Sequence, residues 1–209
     1  MPHQLNKLKR QTIMKKNLTK FAVFLFATVW MGAASAADCK APKPAAEMSI
    51  EDLSALYECL RPSLIKGYQK KGNELALAYT GWKGASTAPQ APGMHSGQYL
   101  MTYVNDIGYD DYVKFTTDGA NMPVGTIIAK EAFSIKSSGK TSKGPLLFME
   151  KVGLDAAPDT GGWKYSGLKA KNGKGLKVDA KGFCHGCHQA WPGQDFLGYP
   201  VEAVRASAS

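Results

Sequence analysis

Gly125-Thr126-Ile127-Ile128-Ala129-Lys130-Glu131-Ala132-Phe133-Ser134-Ile135-Lys136 is the most regular stretch of the chain. Ile128, Lys130, Ala132 and Ser134 fall on one face, and Ile127, Ala129, Phe133 and Ile135 on the other, the two-residue period of a β-strand. Three further runs read as strands: Gln98 to Val104, Pro145 to Val152 and Gly162 to Leu168. A short helical piece, Tyr109 to Phe115, separates the first two strands. Residues 84–97 have loop composition, and residues 169–182 form a polar, Gly- and Lys-rich loop. Upstream the period changes. Ser49 is placed to cap a helix, with Glu51 and Asp52 in its first turn, where the helix dipole favours acids. Ile50, Leu53, Leu56, Tyr57 and Leu60 follow at helical spacing. Pro62 is expected to interrupt that helix, and a second helical stretch to run from about Ser63 to Trp82. Residues 38–48 are Pro- and Ala-rich and read as an extended lead-in.

The formal net charge of +9 over 209 residues invites a nucleic-acid reading, but its location argues against one. Lys7, Lys9, Arg10, Lys15, Lys16 and Lys20 lie in residues 1–36, which contain no acid; the remainder carries 20 Lys+Arg against 17 Asp+Glu. Neither nucleic acid nor a membrane surface is therefore implied as a partner. The same leader has a basic stretch, an apolar run from Phe21 to Ala34, and small residues at Ala34-Ser35-Ala36. That is the pattern of a cleaved secretory signal peptide. The run has 14 residues, short of the ~20 that cross a bilayer, so no membrane association is expected after cleavage. The mature chain is expected in an oxidising, periplasmic space.

Phe183-Cys184-His185-Gly186-Cys187-His188 carries the chemistry. C-x-x-C-H is the attachment motif of c-type haem. One helical turn places both thiols where they can add across the two haem vinyl groups, and the following His188 points toward the iron as ligand. A zinc half-site would need two more ligands, yet Cys39 and Cys59 lie far upstream. A redox cysteine pair would want a preceding βαβ context, which is missing. His185, the variable residue of the motif, reads as exposed. No Met follows Met149, so a downstream Met ligand is excluded; Met94, Met101, Met122 and Met149 lie upstream and read as core filler, with an upstream Met ligand as the alternative. A five-coordinate iron is the default expectation, and an open sixth position means binding or catalysis. His95, in the Gly/Pro loop, is expected to be exposed, with a second-ligand role as the minor alternative. Trp82, Trp163 and Trp191 read as packing residues. Cys39 and Cys59 remain, and spare cysteines in an oxidising compartment pair; the alternative is a buried free thiol at Cys59.

From about Leu75 to Ala206 the chain resembles the cytochrome P-460 family, which includes the cytochromes c′-beta. The resemblance is carried in order by Tyr79-Thr80-Gly81-Trp82, Tyr103-Val104-Asn105 through Tyr112, and Gly125 to Glu131. Phe148-Met149, Gly153-Leu154-Asp155-Ala156, Gly162-Trp163 and the haem motif follow. The tail from Phe196 to Ala206, with Tyr199-Pro200-Val201 and Arg205, is similar to the family's closing helix. The resemblance implies an α+β fold, mainly antiparallel sheet with flanking helices and one covalently bound haem c against the sheet, in a homodimer. The domains would be a signal peptide (1–36), an N-terminal helical extension (37–72) and the haem domain (73–209).

Family members of the P-460 type bond a lysine nitrogen to the haem rim, and the matching residue is Lys130. On an apolar strand face its amine would be desolvated and shifted toward the neutral, nucleophilic form. Hydroxylamine-oxidising members also have a distal carboxylate before the haem motif, where Asp179 is the only acid. The alternative is that Asp179 caps a loop. The family's basic residue at the start of the first core strand is Leu100 here. An apolar distal side with Phe183 or Phe133 over the iron would instead resemble the gas-binding cytochromes c′-beta. The leading expectation is a periplasmic mono-haem enzyme that oxidises hydroxylamine to nitrous or nitric oxide and passes electrons to a small cytochrome. The alternatives are a non-enzymatic nitric-oxide binder of the same fold and an electron carrier with a sixth protein ligand.

Overall fold

The computed structural model describes residues 39–90 and 92–207; the proposed signal peptide lies outside them. Five strands form one antiparallel sheet in sequential order: β1 (Lys83–Gly84), β2 (Tyr99–Val104), β3 (Ile127–Ile135), β4 (Thr141–Lys151) and β5 (Trp163–Leu168). With the helices packed on it, the chain has an α+β fold. β3 is the central strand, pairing Lys130 with Thr102 on one side and Leu147 on the other. β4 begins four residues before the expected start at Pro145. The register shifts between Glu131 and Phe133, so Gly144 and Pro145 sit in a bulge, where a residue without an N–H costs no ladder bond.

The sheet has an apolar core on each face. The back face carries Tyr99, Tyr103, Ala129, Phe133 and Leu146, and it is covered by α1 (Ile50–Tyr68). Ser49 and Asp52 form a reciprocal capping box at the start of α1, as its sequence suggests. Pro62 does not break the helix. Its ring lies on the exposed side, while Leu53, Leu56, Tyr57, Leu60, Leu64 and Tyr68 keep a continuous stripe buried on the sheet. The break comes instead at Gly72, which adopts φ 64°, before the short α2 (Glu74–Ala78). Tyr68 donates to the Gly144 carbonyl at 3.0 Å and ties the end of α1 to the bulge. Cys39 and Cys59 are joined by a disulfide that fixes the lead-in to α1.

The front face carries Val104, Ile128, Met149 and Trp163, packed with Tyr109, Tyr112, Met122 and Leu197 from the connecting segments. The tail is not a closing helix. After Pro200 only a single turn, Glu202–Val204, is helical, and the rest runs extended, with Arg205 bridging Ser86. Gly198, Pro200 and the backbone bond from Thr87 to Val204 favour that extended course.

Candidate haem site

The motif begins with a cap. Asp179 Oδ1 accepts from the Gly182 N–H at 2.9 Å and starts a wide π-helical turn, Ala180–His185, that runs into the helical turn Gly186–His188. Such turns displace side chains from the regular helical ladder and recur at functional sites. Cys184 is half-buried, Cys187 is exposed, and both are free thiols. Burial raises the Cys184 thiol above its ordinary value, with the Asp179 carboxylate adding to the effect.

His188 is buried, and its Nδ1 lies 2.7 Å from the Phe196 carbonyl. A carbonyl only accepts, so Nδ1 carries the hydrogen and Nε2 keeps the lone pair a metal needs. The carbonyl is itself held in place. Asp195 and Phe196 both adopt left-handed backbone, at φ 52° and 63°. The Asp195 carboxylate accepts from Lys151 Nζ at 2.6 and 2.8 Å and from the Met122 N–H at 2.8 Å. The Asp195 carbonyl accepts from Trp163 Nε1 at 2.9 Å. On the far side, a Cβ at Gly161 would collide with the Phe196 ring. The turn that orients His188 is thus clamped to β4 and β5.

Between this motif and the front of the sheet lies a cavity of about 220 Å³. Its floor is Leu100, Ile128, Lys130, Leu147, Met149 and Tyr165. His188, Trp191 and Tyr199 form the opposite wall, with Phe183 at the rim, 67% exposed. Lys130 is 8% exposed and donates from Nζ to the Gly198 carbonyl at 2.8 Å. Burial lowers its pKa to about 8. Burial, reinforced by the Lys130 charge, lowers His188 to about 4. Both groups therefore tend toward their neutral, electron-pair-donating forms.

The structure brings together Lys130, Phe183, Cys184, Cys187 and His188. It does not bring Asp179 with them: that side chain is exposed, caps the motif turn and does not line the cavity. Phe133 is likewise elsewhere, stacked on Tyr99 and Tyr57 in the back core. His185 is half-buried, with Nδ1 3.2 Å from the Tyr165 hydroxyl. His95 corrects the sequence expectation. It lines the cavity, its ring centre 6.1 Å from that of His188. Its surroundings in sequence are Gly, Pro and Ser, which signal a loop and say nothing of where the loop folds. Asp195 and Lys151 were also not singled out, because only the fold joins residues 44 apart.

The donor set fits a haem. Two free thiols and an imidazole with its Nε2 unengaged sit on one helical turn, beside a mostly apolar cavity on a rigid sheet. A family model described as cytochrome P460 matches residues 77–197. The chain belongs to the cytochrome P460 family. Membership makes it a haem cytochrome. No curated protein matches the chain. Among the described residues no helix is long and apolar enough to cross a membrane.

Proposed function

We propose that this cytochrome P460 relative holds one haem c through Cys184 and Cys187, with His188 as ligand. In this reading it works in the periplasm, oxidises hydroxylamine to nitrous or nitric oxide and passes the electrons to a small cytochrome. The bound haem would supply the redox-active iron. The observation that carries the reading is Lys130, buried on the cavity floor with its pKa lowered to about 8. About a tenth of such an amine is neutral and nucleophilic at pH 7, given that value. Beside a haem tethered at Cys184 and Cys187, its amine would have a high effective concentration toward the ring's edge. Trp191 and Tyr199 line the cavity opposite that floor. Hydroxylamine oxidation releases protons and electrons in equal number.

One observation favours the second reading, a nitric-oxide-binding cytochrome. No Asp or Glu is among the residues lining the cavity, and Asp179 is spent on its cap. The two readings separate on the haem peptide. Mass analysis after digestion should find Lys130 joined through the haem to the Cys184–His188 segment, and the ferrous Soret band should be strongly red-shifted. Lys130→Ala should keep both thioether bonds, restore an ordinary c-type spectrum and abolish hydroxylamine oxidation while nitric oxide still binds. A wild-type haem peptide without Lys130 would leave the gas binder.

A further inference from the structure

We propose that His95 is a second axial ligand of the haem, opposite His188, and that a small ligand must displace it to reach the iron. The inference rests on the reading above insofar as a haem is tethered next to His188. It starts from spacing. Two imidazoles that share one metal stand roughly 6 Å apart, centre to centre, because each metal–nitrogen bond is about 2 Å and each nitrogen lies about 1 Å from its ring centre. The His95 and His188 rings are 6.1 Å apart, and both line the one cavity.

The chemistry of the ring agrees. Among the described residues His95 makes no side-chain hydrogen bond. A half-buried imidazole without a protein hydrogen-bond partner, facing a mostly apolar cavity, leaves both nitrogens free to take up a ligand. The other donors on the cavity floor are less suited. Lys130 Nζ already donates to Gly198, and Met149 is fixed on β4 between its partners Ile128 and Tyr165.

The backbone adds an independent observation. His95 and Ser96 adopt left-handed φ of 58° each, and Gly97 follows at 68°. Consecutive left-handed residues other than Gly are strained, and such strain gathers at ligand-binding positions. Both flanks of the turn are anchored. Gln90 exchanges backbone bonds with Leu100 on β2, and Gln98 bonds back to the His95 carbonyl. The turn therefore presents His95 from a fixed base and not from a loose loop.

The test uses the haem-loaded protein. Ferric wild type should give a low-spin spectrum and the electron paramagnetic resonance of two nitrogen ligands. His95→Ala should become high-spin, return to low-spin on adding imidazole, and bind cyanide roughly tenfold or more tighter, because no internal ligand competes. If His95→Ala does not fold, His95→Met keeps a ligand of similar reach and should replace the bis-nitrogen signal by that of a sulfur ligand. A high-spin wild type overturns the proposal, as does a low-spin His95→Ala or an unchanged signal in His95→Met. Those outcomes leave the haem reading standing. Wild type without thioether-bound haem at Cys184 and Cys187 overturns both.

Discussion

At the scale of the residue, β3 places two opposite problems side by side. Lys130 faces the front cavity, and Glu131 faces the back core with no exposed surface. Neither Glu131 carboxylate oxygen has a hydrogen bond, and the nearest cation, Arg61, stands 3.7 Å away with its own Nε unpaired. Desolvation, partly offset by Arg61, raises the Glu131 pKa from 4.5 to about 7. The folded state therefore binds a proton more tightly than the unfolded chain, and stability falls as pH rises from about 4.5 to 7. Glu131→Gln removes that dependence. Thermal melts of the variant should flatten over this interval and exceed wild type at pH 8, by an amount on the order of a few kcal/mol. A wild-type slope retained in the variant would assign the dependence to another group. Asp195 is the reverse case, a buried carboxylate that is fully paired. Asp195→Asn leaves the Lys151 ammonium buried and uncompensated, at a cost of about 3–5 kcal/mol for a broken buried pair. It also frees the turn that holds the Phe196 carbonyl against His188, so the haem reduction potential should shift along with the melting temperature. An unchanged potential would mean that the turn keeps its shape without the clamp.

At the scale of the element, α1 and its disulfide act on the back of the sheet only. The Cys39–Cys59 bond closes 20 residues, for which loop-closure entropy gives roughly 3 kcal/mol. Replacing both cysteines with Ser should lower the unfolding free energy extrapolated from urea melts by that amount and leave the haem spectrum unchanged; a spectral change would show that the two faces communicate. The elements also show what a linear reading can see. Alternation located β2, β3 and β5 to within a residue or two, because side-chain period and strand pairing are the same geometry. It placed the start of β4 late, because Pro145 ends a regular ladder but not one with a bulge. Pro62 misled in the same way: a proline on the exposed side of a helix loses one bond, which the buried stripe outweighs. The C-x-x-C-H motif stands out in the sequence because its chemistry is local. Asp195 does not stand out and His95 enters only as a minor alternative, because their placement depends on where a turn and a loop are folded against residues far away.

At the scale of the whole molecule, one sheet separates two cores of unequal completeness. The back core is closed by α1, with Tyr57, Leu60, Leu64 and Tyr68 essentially without exposed surface. The front core is interrupted by the cavity of about 220 Å³, mostly apolar in its lining and bounded by segments with little regular structure. Contacts made to a group held in that cavity would be lost without it, so the front should depend on its cofactor and the back should not. Folding of the back should therefore survive the absence of haem. Cys184→Ala with Cys187→Ala prevents thioether attachment without touching the back face. Amide hydrogen exchange in that variant should accelerate across residues 180–199 and in the loop carrying His95, by orders of magnitude where backbone bonds open locally. The amides of α1, β3 and β4 should keep their protection to within a few-fold, since their bonds lie in the ladder and under the helix. Uniform acceleration across both faces would mean that the two cores unfold as one unit and that haem holds the entire fold.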